Sequence, residues 1–515
     1  MPSGQLLTAI RPELRYCGPQ LTAIVDSVAC MSTLTLTQPV ARPAAKLSRR
    51  AAWIGFIAVI LASVMDLLDS TIAQTAAPAI RRDLGGSYAD LEWITASYTL
   101  AMATLLLLGS RLGDVFGRRR VLLAGIASFG LASALCAAAP STEALIAGRS
   151  LQGAVAAMMV PQGFGLIREL FGDEGQQRAF GVFGPVMGLA AVAGPLAGGG
   201  LIDLNLFAEG WRAIFFVNVP LAIAALAIGL HYLPRDSPVT PGARIDLISI
   251  TLSMAGGFAL VYPLIEGRQH GWPSWSFAML ASGLVLLALF ARHQTRRARH
   301  GRAPLVMPSI LRRRSYVAGL AVIVGFIGAM GGMMIALNVM FQTGLGYSPL
   351  ASGIATAAIP VAAIGGSITS SLLLERLGRT TMHIGIVTMG VGLAIVCVVL
   401  SAAGADLGRW DLVGPLVVTG FGMGMVFVPM FDVILAAVEP HEIGSASGLL
   451  ESVQQLSMSL GIAVVGTVLF DRLGGRHGSG AFVGGAGSAL LVTVAFLAAA
   501  AAAVCWLPKH ARSTG

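Results

Sequence analysis

The chain has 515 residues, 55% of them hydrophobic and 11% charged, with a mean hydropathy of +0.78. That balance excludes a soluble globular protein and identifies a polytopic membrane protein. The net charge of +9 would suggest a nucleic-acid partner in a soluble chain, but here the basic residues fall in short clusters between long apolar runs, so no nucleic acid is expected.

Residues 1–50 read as a polar-to-mixed, disordered cytoplasmic tail without the apolar region of a signal peptide. Met31 opens a cleaner Ser/Thr/Pro-rich lead-in and is an alternative start to Met1. A membrane-spanning helix needs about 20 apolar residues. Fourteen such runs follow, near 51–77, 91–110, 119–139, 143–166, 177–202, 213–233, 245–265, 276–291, 317–341, 350–373, 382–402, 411–434, 444–470 and 485–507. They group as a six-helix unit over 51–233, two extra spans with a very basic cytoplasmic linker over 234–315, a second six-helix unit over 316–507, and a short tail over 508–515. Counted from a cytoplasmic N-terminus, with the first tail taken from Lys46, the inner segments hold 23 Arg and Lys and the outer segments 7. This asymmetry places both termini in the cytoplasm. An internal echo supports two related halves: Glu375, Gly378 and Arg379 after span 10 repeat Asp114, Gly117 and Arg118 after span 2.

Enzymatic chemistry finds no home here. The five cysteines do not cluster, no H-x-x-x-H pair exists, and neither lysine (Lys46, Lys509) follows a glycine, which excludes a metal site of that type and a Walker A phosphate loop. The chain is expected to use no ATP and no cofactor beyond a proton as coupling ion, with Na⁺ left open because carboxylates serve both.

The polar residues inside the apolar runs are the candidates for function. Asp66 and Asp69 in span 1 stand three apart, share a helix face, and are costly within a bilayer. Two close carboxylates suit proton loading. Arg149 lies about seven residues into span 4, in the same outer half as Asp69, so an ion pair is possible. Gln152 follows it by three. Glu451 in span 13, with Gln454 nearly a turn on, and Asp432 in span 12 are charges that could recognise a cationic substrate. Gly194-Pro195 in a Gly-rich span 5 allows close helix approach and a bend.

Several of these segments resemble one family. Ser110 to Arg120 (SRLGDVFGRRR) is similar to the loop between spans 2 and 3 of the major facilitator superfamily, with Asp114, Gly117, Arg118 and Arg119 matching its pattern. Leu68 to Pro78 (LDSTIAQTAAP), Arg149 to Gly153 (RSLQG), Gly188 to Gly200, Trp211 to Pro220 (WRAIFFVNVP) and Phe341 to Pro349 (FQTGLGYSP) resemble motifs of its fourteen-span drug:proton antiporters. The resemblance implies two six-helix bundles around a central cavity plus two extra central spans, all α-helical, in the cell membrane. It implies proton coupling through Asp69 and Arg149, to which spacing adds Asp66; the expected substrate contacts are Gln152 and, from their own charge or position and in departure from the family's pattern, Glu451, Asp432 and Gln454. It also implies a conformational switch at Asp114, Gly117, Arg118, Arg119, Gly194 and Pro195, with Asp114 meeting the helix start near Gly444 to Ser447. The expected activity is export of amphipathic, often cationic drugs in exchange for protons by a monomer; the alternative is export of an endogenous secondary metabolite or lipid-like compound.

Overall fold

The computed structural model describes residues 48–205, 210–235, 246–302, 304–408, 410–435, 438–439, 442–476 and 478–507. The expectations for the N-terminal tail and for 508–515 lie outside these residues. Among the described residues, fourteen helices are long and apolar enough to cross a membrane. They are α1 (Arg49–Leu84), α2 (Tyr88–Phe116), α3 (Arg118–Ala137), α4 (Thr142–Gly172), α5 (Arg178–Asp203), α6 (Gly210–Tyr232), α7 (Leu247–Gln269) and α8 (Ser274–Arg299). The second group is α9 (Arg314–Gly344), α10 (Pro349–Leu374), α11 (Thr380–Ala403), α12 (Val413–Leu435), α13 (Ser445–Leu473) and α14 (Ser479–Val504). Helix is the form such apolar runs must take, because hydrocarbon offers no partner for a free backbone N–H or C=O.

Two helices run past their apolar stretches. α1 continues beyond Pro78 to Leu84, so Asp69 lies in mid-helix and does not cap an end. α8 continues through the basic stretch to Arg299, so part of the expected linker is helical. Apolar runs mark only what lies at hydrocarbon depth, whereas helical hydrogen bonding continues as long as the residues permit. Between α2 and α3 the connection is a single residue, Gly117, at φ +94°, a backbone region that an L side chain rarely adopts.

Small residues set the helix contacts within each half. Gly109 of α2 lies on the Ala157 carbonyl of α4, and Gly153 of α4 on the Tyr98 carbonyl of α2. In the second half Gly420 and Gly424 of α12 lie in the same way on the Ile359 and Ala363 carbonyls of α10. The two halves thus repeat one helix pair, packed backbone to backbone, as apolar surroundings favour.

The halves meet along two main lines, and α1 also meets α9, where Gln342 Nε2 donates to the Thr75 carbonyl at 2.6 Å. α5 and α10 meet at the end where the Ser348 hydroxyl donates to Asp203 at 2.6 Å, with Gly353 against Pro195. α2 and α13 form the other seam, where the Thr99 and Ser459 hydroxyls are 2.6 Å apart. α7 straddles this second seam: its Gly257 lies against Thr104, and its Leu264 carbonyl accepts from the Thr467 hydroxyl at 2.7 Å. α8 packs on α7 through Gly256 and Gly283. At the far end of the seam the linker crosses both halves. Arg111 donates to the Pro304 carbonyl at 2.6 Å, and the Met307 N–H donates to Ser445 at 2.9 Å. Asp246 caps α7 there. Burial opposes its charge, but the Ser249 hydroxyl, Arg297 and His293 hold the carboxyl below the usual carboxylate range.

Replacing Gly153 by valine puts branched carbon into the Tyr98 carbonyl and should cost about 1–3 kcal/mol of stability. A lower thermal unfolding midpoint of the purified protein would show it. Gly200→Ala, where nothing lies within 4 Å of the new carbon, should leave the midpoint unchanged.

Candidate functional site

Asp69 is the centre of a closed polar cage inside the first bundle. It is 2% exposed, and Arg149 beside it is 0% exposed. One Asp69 oxygen pairs with the Arg149 guanidinium. The other accepts from Gln152 Nε2 at 3.0 Å and from Asn218 Nδ2 at 2.9 Å. Arg149 also donates to Gln152 Oε1 at 2.8 Å and to the Ile94 carbonyl at 3.2 Å. Gln152 in turn donates to the Ser133 hydroxyl at 2.8 Å and accepts from the Cys136 thiol at 3.2 Å. Five helices, α1, α2, α3, α4 and α6, therefore converge on one carboxylate.

The i,i+3 spacing of Arg149 and Gln152 on α4 turns both toward α1. The guanidinium lies 4.3 Å from the centre of the Tyr98 ring and 5.7 Å from that of Phe215, so aromatic faces take the place of water around it. Tyr98 also ties the cage to the gap between the bundles, because its hydroxyl donates to Asp66. Asp66 is half-buried, and Glu451 of α13 is close enough for its charge to act on it. Glu451 is itself half-buried, and nearby Gln454 has a buried side-chain oxygen with no hydrogen-bond partner. Asp66 and Glu451 thus stand where the two halves face each other, whereas Asp69 stands behind them.

Gln152 departs from the expectation that it contacts substrate. It is 0% exposed, and its amide is fully engaged, twice as donor and twice as acceptor. Its place is in holding Asp69. The side chain of Asp432 lies outside the described residues.

The switch residues distribute over several contacts. Gly117 makes the α2–α3 turn. Arg118 lies over Gly165 of α4 and 3.7 Å from Glu169, and Arg119 donates to the Leu230 carbonyl at 2.7 Å. Asp114 pairs with Arg111 one turn before it, at 3.8 Å. The start of α13 is held by the linker through Met307 and Ser445. Gly194 packs directly on Thr71 and Gly198 on Ile72, so the Gly-Pro segment of α5 rests on the same turn of α1 that carries Asp69.

Asn218, Ser133, Cys136 and Tyr98 of the cage escape a reading of the sequence. Asn218 sits in the FFVNVP run, where a lone Asn in an apolar span is a usable signal. Tyr98 gives no such signal, since a Tyr in an apolar run is ordinary packing.

Breaking this pair by Arg149→Gln should cost about 3–5 kcal/mol, because it leaves an uncompensated buried carboxylate. Asp69→Asn with Arg149→Gln should recover most of that loss. A double-mutant cycle on thermal unfolding checks this; additive losses would show that the two side chains do not depend on each other.

A sequence profile of the Major Facilitator Superfamily matches residues 59–246 and 239–462. A Streptomyces coelicolor protein named as a probable actinorhodin transporter is 41% identical over 82% of this chain and 73% of its own length. A puromycin resistance protein of Streptomyces alboniger is 34% identical over 81% of each chain. Among solved structures, a bacterial homologue of the human lysosomal transporter Spinster, inward-facing and unoccupied, superposes with a TM-score of 0.65 at 17% identity, covering 90% of this chain and 99% of the other. The chain belongs to the Major Facilitator Superfamily and is a multi-pass membrane transporter, not an enzyme.

Proposed function

We propose that this transporter exports drug-like amphipathic molecules in exchange for protons, by rocking one bundle against the other about a midplane site. The observation that carries the coupling is the buried Asp69–Arg149 pair, enclosed by Gln152 and Asn218. A proton on Asp69 cancels the attraction that holds Arg149 and so alters the packing of five helices at once. Gly194 and Gly198 rest on the same turn of α1, which gives that change a route to α5 and its contact with α10. The names of the relatives, an actinorhodin transporter and a puromycin resistance protein, support export of antibiotic-like molecules.

Asp66 and Glu451 suit a different part of the cycle. They face the gap between the halves, and their two charges can hold either a cationic substrate or protons. Competition for that position makes the exchange obligatory: protons displace the drug on one side, and the drug displaces protons on the other. Gln454 adds a neutral hydrogen-bonding group beside them. Asp69, being closed off, reports the protonation to the bundle and does not touch the substrate. In this reading both termini are cytoplasmic in the cell membrane, the ends carrying Asp83 and Asp203 face outward, and the unit is a monomer. The relative named for actinorhodin favours a second reading, in which the natural substrate is a secondary metabolite made by the same cell.

Efflux of ethidium from cells expressing the protein tests the first reading. Wild-type efflux should collapse with a protonophore, and Asp69→Asn should reduce it by at least about tenfold, the scale of one pKa unit of lost interaction. Efflux that survives both treatments would remove proton coupling through α1. Glu451→Gln should weaken efflux of cations while sparing neutral drugs; equal losses for both would take Glu451 out of charge recognition.

A further inference from the structure

A second group of charges lies on the α2–α13 seam, at the end carrying Tyr88 and Phe470, and the coupling cage does not use it. Glu92 of α2 is 0% exposed. Its carboxylate is pressed against Gly466 of α13, where an added methyl carbon would come 2.6 Å from Oε1. Neither carboxylate oxygen has a hydrogen-bond partner. The cation facing it is Arg268 of α7, 3.8 Å away and so beyond hydrogen-bond length. Arg268 Nε and NH2 also lack hydrogen bonds, and the guanidinium lies 5.1 Å from the centre of the Phe470 ring of α13. Glu266, also on α7, brings a second negative charge within range of Glu92 and accepts from the Trp93 indole N–H at 2.8 Å.

An ionised carboxylate buried without hydrogen bonds is costly, and a cation that is not in contact offsets only part of the cost. A proton removes the cost. The position of Glu92 makes that proton depend on conformation. It is enclosed by one helix from each half and by the extra span that bridges them. Any rocking that parts α2 from α13 at this end must lift Gly466 away and admit water.

We propose that Glu92 is the gate carboxylate of the outer α2–α13 seam. It carries a proton while the seam is closed and dry, and it gives that proton to external water and pairs with Arg268 when the seam opens. Closure takes the proton back from water, so the acid outside favours the step that turns the transporter inward. The sign follows: closure is favoured at low pH and weakens as pH rises. One linked proton changes the opening equilibrium by at most about tenfold per pH unit. The proposal also assigns α7 a task, since Arg268 receives the charge that appears on opening. It rests on the alternating-access reading above, but not on which carboxylate couples transport.

Hydrogen–deuterium exchange of the purified full-length protein in lipid nanodiscs tests it, followed on peptides covering residues 88–100 and 262–270 from about pH 6 to about pH 8.5. After correction for the intrinsic pH dependence of exchange, wild-type opening should rise with pH, with a slope of no more than about tenfold per unit. Glu92→Gln should stay closed and constant within about twofold. Arg268→Gln should keep the rise but move it to higher pH, because the charge on opening has lost its partner. A wild-type response retained unchanged in Glu92→Gln, or a response not displaced in Arg268→Gln, overturns the gate role and leaves alternating access standing. Peptides that never open at any pH, with or without ethidium, overturn both.

Discussion

The buried pair of Asp69 and Arg149 is the constraint around which the first bundle is organised. A guanidinium and a carboxylate taken out of water are tolerable only when each is matched and the remaining hydrogen bonds are made. Here the match needs α4 to bring Arg149 and Gln152, α6 to bring Asn218, and α3 to bring Ser133. The backbone of α2 takes the Nε donor through Ile94, and its Tyr98 covers the cation, whose NH2 group makes no hydrogen bond. The close approach of α2 and α4 at Gly109 and Gly153 is what allows the reach to be short. Glycine packing and the charge pair are thus one device: the first permits the distance that the second requires.

The same logic separates what moves from what holds. Inside the cage both carboxylate oxygens of Asp69 and the whole amide of Gln152 are engaged, while Arg149 NH2 and Asn218 Oδ1 have no partner. Between the halves Asp66 and Glu451 are only half-buried, and Gln454, on the same helix as Glu451, keeps an unpartnered oxygen. Unmet polar capacity at an interface is where a ligand or a proton can be accommodated. Tyr98 joins the two regions, with its hydroxyl on Asp66 and its ring under Arg149.

The two extra spans take a definite place in this arrangement. α7 does not extend the bundles but closes the outside of the α2–α13 seam, through a hydroxyl–carbonyl bond at Thr467, packing at Gly257, and charges at Glu266 and Arg268. The linker after α8 then ties the other end of the seam through Pro304 and Met307. An insertion between two halves has no need to touch both, and this one touches both at each end.

Much of this was legible in the residues alone. Fourteen apolar runs, the basic clusters between them and the carboxylates and arginine inside them follow from what hydrocarbon will accept, and that is a local property of each stretch. The pairing of Asp69 with Arg149 could be anticipated because a buried arginine demands a carboxylate at matching depth. What the residues could not decide is which neighbours complete the cage, because Asn218, Ser133 and Tyr98 reach it from helices far away in sequence. The same holds for Gln152, which spacing alone leaves free to face either the cavity or Asp69. The burial of Glu92 was equally hidden: at the start of a span it reads as an interfacial charge, and only the packing of α13 and α7 over it removes it from water. Depth in the membrane is written in local composition. Which face of a helix meets which neighbour depends on how all fourteen pack together.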